Sequence, residues 1–260
     1  MPIWFNLVAS AAFGAMLGSF LNVCIYRIPR RISVVFPPSA CPHCGRRIAF
    51  YDNVPVLGWV WLGGKCRACR APISPRYPAI EALTAGLFVF LTWRYGPTWE
   101  LIPAIYFAAA MVVVTLIDFD AMIIPDAITL SGVPLGLLAS FVTPVTFVGA
   151  LIGAAVGFVF LYAVARGYEK IAGIDGMGGG DIKFAAMLGA FLGWQGVLLT
   201  VFLAAGLGAV TGAALMILRR GGRRTMLPFG TFLAPVALAV YLWGPSWVDA
   251  YLRYAAGAGR

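Results

Sequence analysis

Residues 127–165, AITLSGVPLGLLASFVTPVTFVGALIGAAVGFVFLYAVA, run without a single Asp, Glu, Lys or Arg. A helix through all of them would be about 58 Å long, whereas a bilayer core is about 30 Å thick and takes roughly 20 helical residues. The stretch is too apolar for a soluble fold and too long for one span, and Pro144 offers the break. Other charge-free stretches cover 1–26, 101–117, 184–218 and 225–248, and a shorter apolar run, 82–93, lies between Glu81 and Arg94. Splitting 184–218 near Gly193-Trp194-Gln195-Gly196 brings the expectation to an all-α polytopic membrane protein of about eight transmembrane helices.

Composition agrees. Of 260 residues, 61% are hydrophobic and 11% charged, with a mean hydropathy of +0.89, against roughly 45–50% and about 25% in soluble domains. That excludes a secreted soluble enzyme, a disordered regulator and a conventional nucleic-acid-binding domain. The net charge of +9 would normally raise the question of nucleic acid, yet the positive residues stand in loops between apolar runs, and no nucleic-acid partner is expected.

Those loops set the expected orientation. Nine of the 19 Lys and Arg lie between Arg27 and Arg76, followed by Arg166, Lys170 and Lys183, then Arg219, Arg220, Arg223 and Arg224. Only Arg94, Arg253 and Arg260 are left for the opposite side. With eight alternating spans all the first group face the cytoplasm, which places both termini outside it. Segment 1–26 lacks a basic n-region and is expected to be retained as the first transmembrane helix rather than cleaved. Residues 27–78 are expected to form a small cytoplasmic loop domain and 79–260 a transmembrane helical domain.

The loop carries Cys41-Pro42-His43-Cys44 and, 21 residues later, Cys66-Arg67-Ala68-Cys69. Two CxxC knuckles can converge four thiolates on one tetrahedral zinc, and four sulfurs would leave no open position, so the zinc would be structural. The competing readings are two disulfides or a redox pair, against which a cytoplasmic location argues. His43 reads as a spacer, and Cys24, in the first apolar span, as a packed small hydrophobe.

Only ten acidic residues serve the whole chain. Asp118, Asp120 and Asp126 cluster where the third span meets the fourth, and Asp181 closes Gly176-Met177-Gly178-Gly179-Gly180 at the start of the sixth. Carboxylates beside hydrocarbon are costly, so a functional role is the default. Two carboxyls held close in a low-dielectric site can act as acid and base in peptide hydrolysis without a metal. The glycines would let a substrate strand approach the backbone. Other readings remain open: Asp126 and Asp181 as helix N-caps, or an aspartate pair that carries cations or protons in a transporter. A phosphate loop is disfavoured, since no Gly-Lys-Ser/Thr follows the glycines.

In order along the chain stand Gly18-Ser19-Phe20-Leu21-Asn22-Val23, Tyr26-Arg27-Ile28-Pro29, the first knuckle, Asp52-Asn53-Val54-Pro55, Gly64-Lys65 with the second knuckle, and Ser74-Pro75-Arg76-Tyr77-Pro78 with Glu81. Ile117-Asp118, Pro125-Asp126, Gly178-Gly179-Gly180-Asp181-Ile182-Lys183 and Pro228-Phe229-Gly230 follow. This series resembles the type IV prepilin peptidase family, bifunctional leader peptidases and N-methyltransferases of bacterial pilus and type II secretion systems. Presenilin-like proteases share the GxGD element, but their Tyr-Asp partner motif lies within a span, whereas the only Tyr-Asp here, Tyr51-Asp52, lies in the polar loop.

The resemblance implies a GxGD-type aspartyl protease of the bacterial inner membrane with Asp118 and Asp181 catalytic. Asp126, Gly178, Gly180 and Lys183 take supporting places, Asp126 being the fallback for Asp118. It implies prepilin and pseudopilin substrates cut at the cytoplasmic face, membrane lipid as surroundings, and methylation of the new amino terminus from S-adenosylmethionine. No Rossmann fingerprint marks a methyl-donor site. Gly64-Lys65 is the candidate, against the plainer reading of a turn that shapes the zinc loop. A zinc-loop scaffold or ion transporter using the same aspartates is the alternative from another functional class.

Overall fold

The computed structural model describes residues 2–173, 177–218 and 227–258. Among them are eight α-helices and no named strand: α1 Ile3–Arg27, α2 Leu57–Trp61, α3 Arg76–Tyr95, α4 Leu101–Ala121, α5 Asp126–Ala139, α6 Phe147–Ala172, α7 Gly179–Ile217 and α8 Gly230–Ala258. Five of these, α1, α4, α6, α7 and α8, are long and apolar enough to cross a bilayer. Hydrocarbon offers no partner for a free amide or carbonyl, so a spanning chain must satisfy its backbone within helices, and the all-α architecture follows.

The charge-free stretches break where their glycines and prolines allow. The 127–165 run divides into α5 and α6, with Pro144 in the connection between Ala139 and Phe147. Thr146 caps α6, its side-chain oxygen accepting from the Gly149 amide at 3.1 Å. Within α7, Gly193 has φ 70° and ψ 176°, a conformation closed to most residues that separates two helical halves. α3 and the 14-residue α5 fall outside the five by hydropathy or length, where about eight spans are expected from the sequence. Arg219, Arg220, Arg223 and Arg224, on which the expected orientation partly rests, lie outside the described residues, as does Gly176.

The chain divides into two compact units, Met1–Ala109 and Ala110–Arg260, with the boundary inside α4. In the first, α1 and α3 pack antiparallel. Gly14 and Gly18, spaced as GxxxG, admit α3 so closely that a methyl group at Gly18 would lie 2.8 Å from Glu81 Cα and one at Gly14 2.9 Å from Ala85 Cα. Ser10 Oγ and Thr92 Oγ1 share a 2.7 Å hydrogen bond near one end of the pair, and the buried Asn22 donates to the Tyr77 carbonyl near the other.

The second unit repeats the device. Gly153 and Gly157 of α6 lie directly on the backbones of Gly189 and Ala185 in α7, and a methyl group at Gly153 would lie 2.7 Å from the Gly193 carbonyl carbon. Gly136 of α5 meets the side chains of Ala190 and Phe191 of α7. The first half of α7 is therefore gripped from two sides by helices whose glycines face it. At Gly189 the neighbours are backbone atoms of Gly153 and Ala154, which cannot rotate aside. Gly189→Val is accordingly expected to cost more than about 3 kcal/mol, seen as loss of monodisperse protein in detergent or a large fall in Tm. Gly206→Ala in the same helix meets nothing within 4 Å and should leave Tm unchanged or raised.

Candidate active site and metal centre

The four cysteines of the first unit form two copies of one local structure. In each knuckle the residue before the first Cys pairs with the residue three past the second, Ala40 with Arg47 and Lys65 with Pro72. In each, the residue after the second Cys has positive φ, 70° at Gly45 and 59° at Arg70, and its amide donates to the carbonyl of the first Cys. The Cys41 and Cys66 amides close the turns by donating to Arg46 and Ala71. The backbone equivalence hardly shows in the sequence as a repeat, because only the cysteines, their spacing and an isoleucine four residues on, Ile48 and Ile73, are shared.

All four sulfurs lie within 4.8 Å of one another, and Cys41 Sγ and Cys69 Sγ are 3.8 Å apart. Four sulfurs about 2.3 Å from a common tetrahedral centre are separated by about 3.8 Å, so the donor set fits zinc. Amides of Cys69 and Ala68 face the Cys66 sulfur and hold its thiol down to about 6, favouring the thiolate that a metal requires. Arg67, inside the second knuckle, forks onto Asp52 through Nε and Nη2. Its guanidinium holds the Asp52 carboxyl below the usual carboxylate range.

Gly64 has φ 66°, and a methyl group there would lie 2.8 Å from the Trp59 indole. Trp59 in turn donates to the Ile73 carbonyl, and the Ile73 amide to that of Gly64. The glycine's open face is filled by a tryptophan, and the exposed Lys65 shares its backbone with the second knuckle's bridge.

In the second unit, the end of α4 meets the starts of α5, α7 and α8. Asp118, in the last turn of α4, is 4% exposed. Its Oδ2 accepts from the Thr231 amide at 2.7 Å and from Thr231 Oγ1 at 3.2 Å. Thr231 is the second residue of α8, where the amides have no partner within the helix. The carboxylate therefore completes a helix start 113 residues downstream and sits at its positive end. Gly230 makes this possible: a methyl group on it would lie 3.0 Å from both Cγ and Oδ2 of Asp118.

Asp181 lies in the first turn of α7, after the N-cap Gly178. Backbone amides of Gly178 and Asp181 face its carboxyl, and it feels the charge of Asp118. Its Oδ1 is buried without a hydrogen-bond partner. Buried polar atoms are nearly always paired, so one left without a partner calls for an explanation, of which a functional role is one. Ile124 lies between the two positions. A methyl group on Gly180 would be 3.1 Å from Ile124 Cβ, and one on Gly230 2.9 Å from Ile124 Cδ1.

Asp126 stands apart from this pair as the first residue of α5, with a side chain 56% exposed. Both its oxygens accept from Lys183 Nζ at 2.8 Å, so the lysine after the glycine run binds Asp126. Among the supporting positions, Gly180 packs on Ile124, while a methyl group on Gly178 would stand 3.5 Å from Asp181 Oδ2. Sequence reasoning missed Thr231, Ile124 and the task of Gly230. The signal for the last was the Pro228-Phe229-Gly230 motif, which marked a place without saying what it faced.

Comparisons with known proteins agree along the chain. Residues 12–95 match the Bacterial Peptidase A24 N-terminal domain and residues 105–213 the Type IV leader peptidase family. A prepilin leader peptidase/N-methyltransferase of Aeromonas hydrophila is 36% identical over 278 residues, covering 96% of this chain and 94% of the relative. That of Pseudomonas aeruginosa is 34% identical, covering 98% and 96%, and that of Myxococcus xanthus 41% identical over 214 residues, covering 82% and 64%. No solved structure matches the chain. With two family domains in sequence and the Aeromonas and Pseudomonas relatives matched over nearly their whole length, the chain belongs to the type IV leader peptidase family.

Proposed function

We propose that this protein is a multi-pass inner-membrane endopeptidase that removes the leader from prepilins and pseudopilins and N-methylates the new terminus, with Asp118 and Asp181 as its catalytic pair. The observation that carries the assignment is that Gly230, packed on the buried Asp118, and Gly180, next to Asp181, both close on Ile124, while Asp181 has a buried oxygen that no protein group engages. Family membership and the relatives' names supply the reaction.

Hydrolysis then needs only these two groups and water. One carboxylate takes a proton from water as its oxygen attacks the scissile carbonyl carbon, and the other carboxyl gives a proton to the carbonyl oxygen. When the tetrahedral species collapses, the C–N bond breaks and the departing amine takes a proton from the pair. Thr231 fixes Oδ2 of Asp118, and Oδ1 of Asp181, buried and engaged by no protein group, is the atom left for the reaction to use. The exposed Asp126–Lys183 pair ties the α5 and α7 starts together and stands outside the reaction.

The basic residues flanking the spans favour a cytoplasmic site and zinc lobe, with about eight crossings. A prepilin helix can then remain in the bilayer while its basic leader lies beside the aspartates. Zinc, held by Cys41, Cys44, Cys66 and Cys69, would stabilise the lobe and take no part in hydrolysis. S-adenosylmethionine would supply the methyl group. Trp59 fills the open side of Gly64, which supports the reading of Gly64 and Lys65 as a turn that shapes the zinc loop.

Three outcomes are expected. In a mass-spectrometric assay of the purified protein with a prepilin-type substrate and S-adenosylmethionine, Asp118→Ala and Asp181→Ala each lose at least about 10³-fold in leader cleavage, while Asp126→Ala retains it. Cleavage by Asp118→Ala but not Asp126→Ala would move the assignment by one carboxylate. Wild-type protein inert on a range of such substrates would defeat the peptidase reading in favour of transport. Gly230→Ala lowers kcat by about 10²-fold with KM little changed, because its methyl group displaces Asp118. Metal analysis finds zinc bound to the wild type and lost in Cys41→Ser and Cys69→Ser. In those variants trypsin cuts between Arg27 and Arg76 far faster.

A further inference from the structure

The zinc lobe shows an aromatic and aliphatic face to its surroundings. On α2, Leu57, Val60 and Trp61 occupy positions i, i+3 and i+4, one side of a helical turn, and are 56%, 61% and 53% exposed, while Gly58 is buried on the other side. Trp59 turns inward to Gly64 and Ile73. The polarity is the reverse of a soluble surface helix, which hides its apolar stripe.

This face continues into the 3-10 turn Phe50–Asp52, which packs on α2. The Trp61 indole faces the Asp52 carboxylate, which Arg67 also grips. Arg67 lies 5.4 Å over the Tyr51 ring, and Tyr51 packs edge-on against Phe50, itself 87% exposed. The result is one contiguous group: three aromatic rings, two aliphatic side chains, and an arginine held among them by an acid.

Rings with an apolar body and a polar tip, beside a guanidinium, are the chemistry of the bilayer–water interface. Two further facts choose a lipid surface as the occupant. The lobe is joined at one end to α1, a candidate membrane span, and at the other to α3, which packs along it, so a bilayer is already close. Between Arg27 and Arg76 it carries nine Lys and Arg against the single Asp52, a balance complementary to anionic headgroups.

We propose that the face formed by Phe50, Tyr51, Leu57, Val60 and Trp61 seats in the headgroup region of an anionic bilayer, so that the zinc lobe lies on the membrane as an interfacial element. The inference rests on the chain's spanning of the membrane and not on the assignment of Asp118 and Asp181.

The test places the photoreactive amino acid p-benzoylphenylalanine at Leu57 or Trp61 in the full chain, with exposed His43, in the first knuckle and outside this face, as reference. Each protein is reconstituted in phosphatidylcholine vesicles with or without phosphatidylglycerol and irradiated, and adducts are identified by mass spectrometry. Variants at two positions guard against one failing to fold, and unchanged thermal stability qualifies each. Phospholipid adducts at both positions, exceeding those at His43 and rising about fivefold with phosphatidylglycerol, are expected. Adducts to a second copy in place of lipid, yields equal to those at His43, or indifference to phosphatidylglycerol would overturn the proposal.

Discussion

Helices of the second unit approach until their backbones touch, and the aspartate site exists because of it. Gly153 and Gly157 bring α6 onto the backbone of α7, and Gly136 lets α5 close on Ala190 and Phe191 on the other side. The first half of α7 is thereby fixed along its length, and with it the start that carries Asp181. Lipid tails are as apolar as leucine, so helices in a bilayer gain little from hiding greasy surface and associate through close packing. A chain with 31 glycines places several of them where another backbone must pass.

The aspartates solve a second problem of the same environment. A buried carboxylate and a helix start each carry groups without partners, and Asp118 with Thr231 settles both at once. Asp181 has no such arrangement for Oδ1, although it lies at a helix start of its own. The asymmetry suits chemistry in which one carboxyl is held and the other is left to engage a visitor. Ile124, in contact range of both Gly180 and Gly230, fills the space between without adding a polar group.

Much of this was legible in the chain because it is written locally. Charge-free length gave membrane helices, Pro144 and Gly193 marked real interruptions, and the CxxC spacing brought four sulfurs together. What could not be read depends on pairs far apart in sequence. Nothing near Lys183 says that its partner is Asp126, 57 residues earlier, and nothing near Thr231 points to Asp118. Gly64 is instructive in the opposite sense: its place beside a basic residue and a knuckle suggested ligand binding, yet its freedom serves the Trp59 ring. A glycine records that something comes close and never what.

The hydrogen bond between Thr231 and Asp118 also orders the protein's biosynthesis. A ribosome makes α4 long before α8, and 113 residues separate the acceptor from its donors. Throughout that interval the nascent chain holds a carboxylate at the membrane whose eventual partners do not yet exist. Asp181 arrives within the interval, so both acids are present before the helix start that holds one of them. A chain stopped short of Gly230 therefore carries both acids without the helix start that holds Asp118.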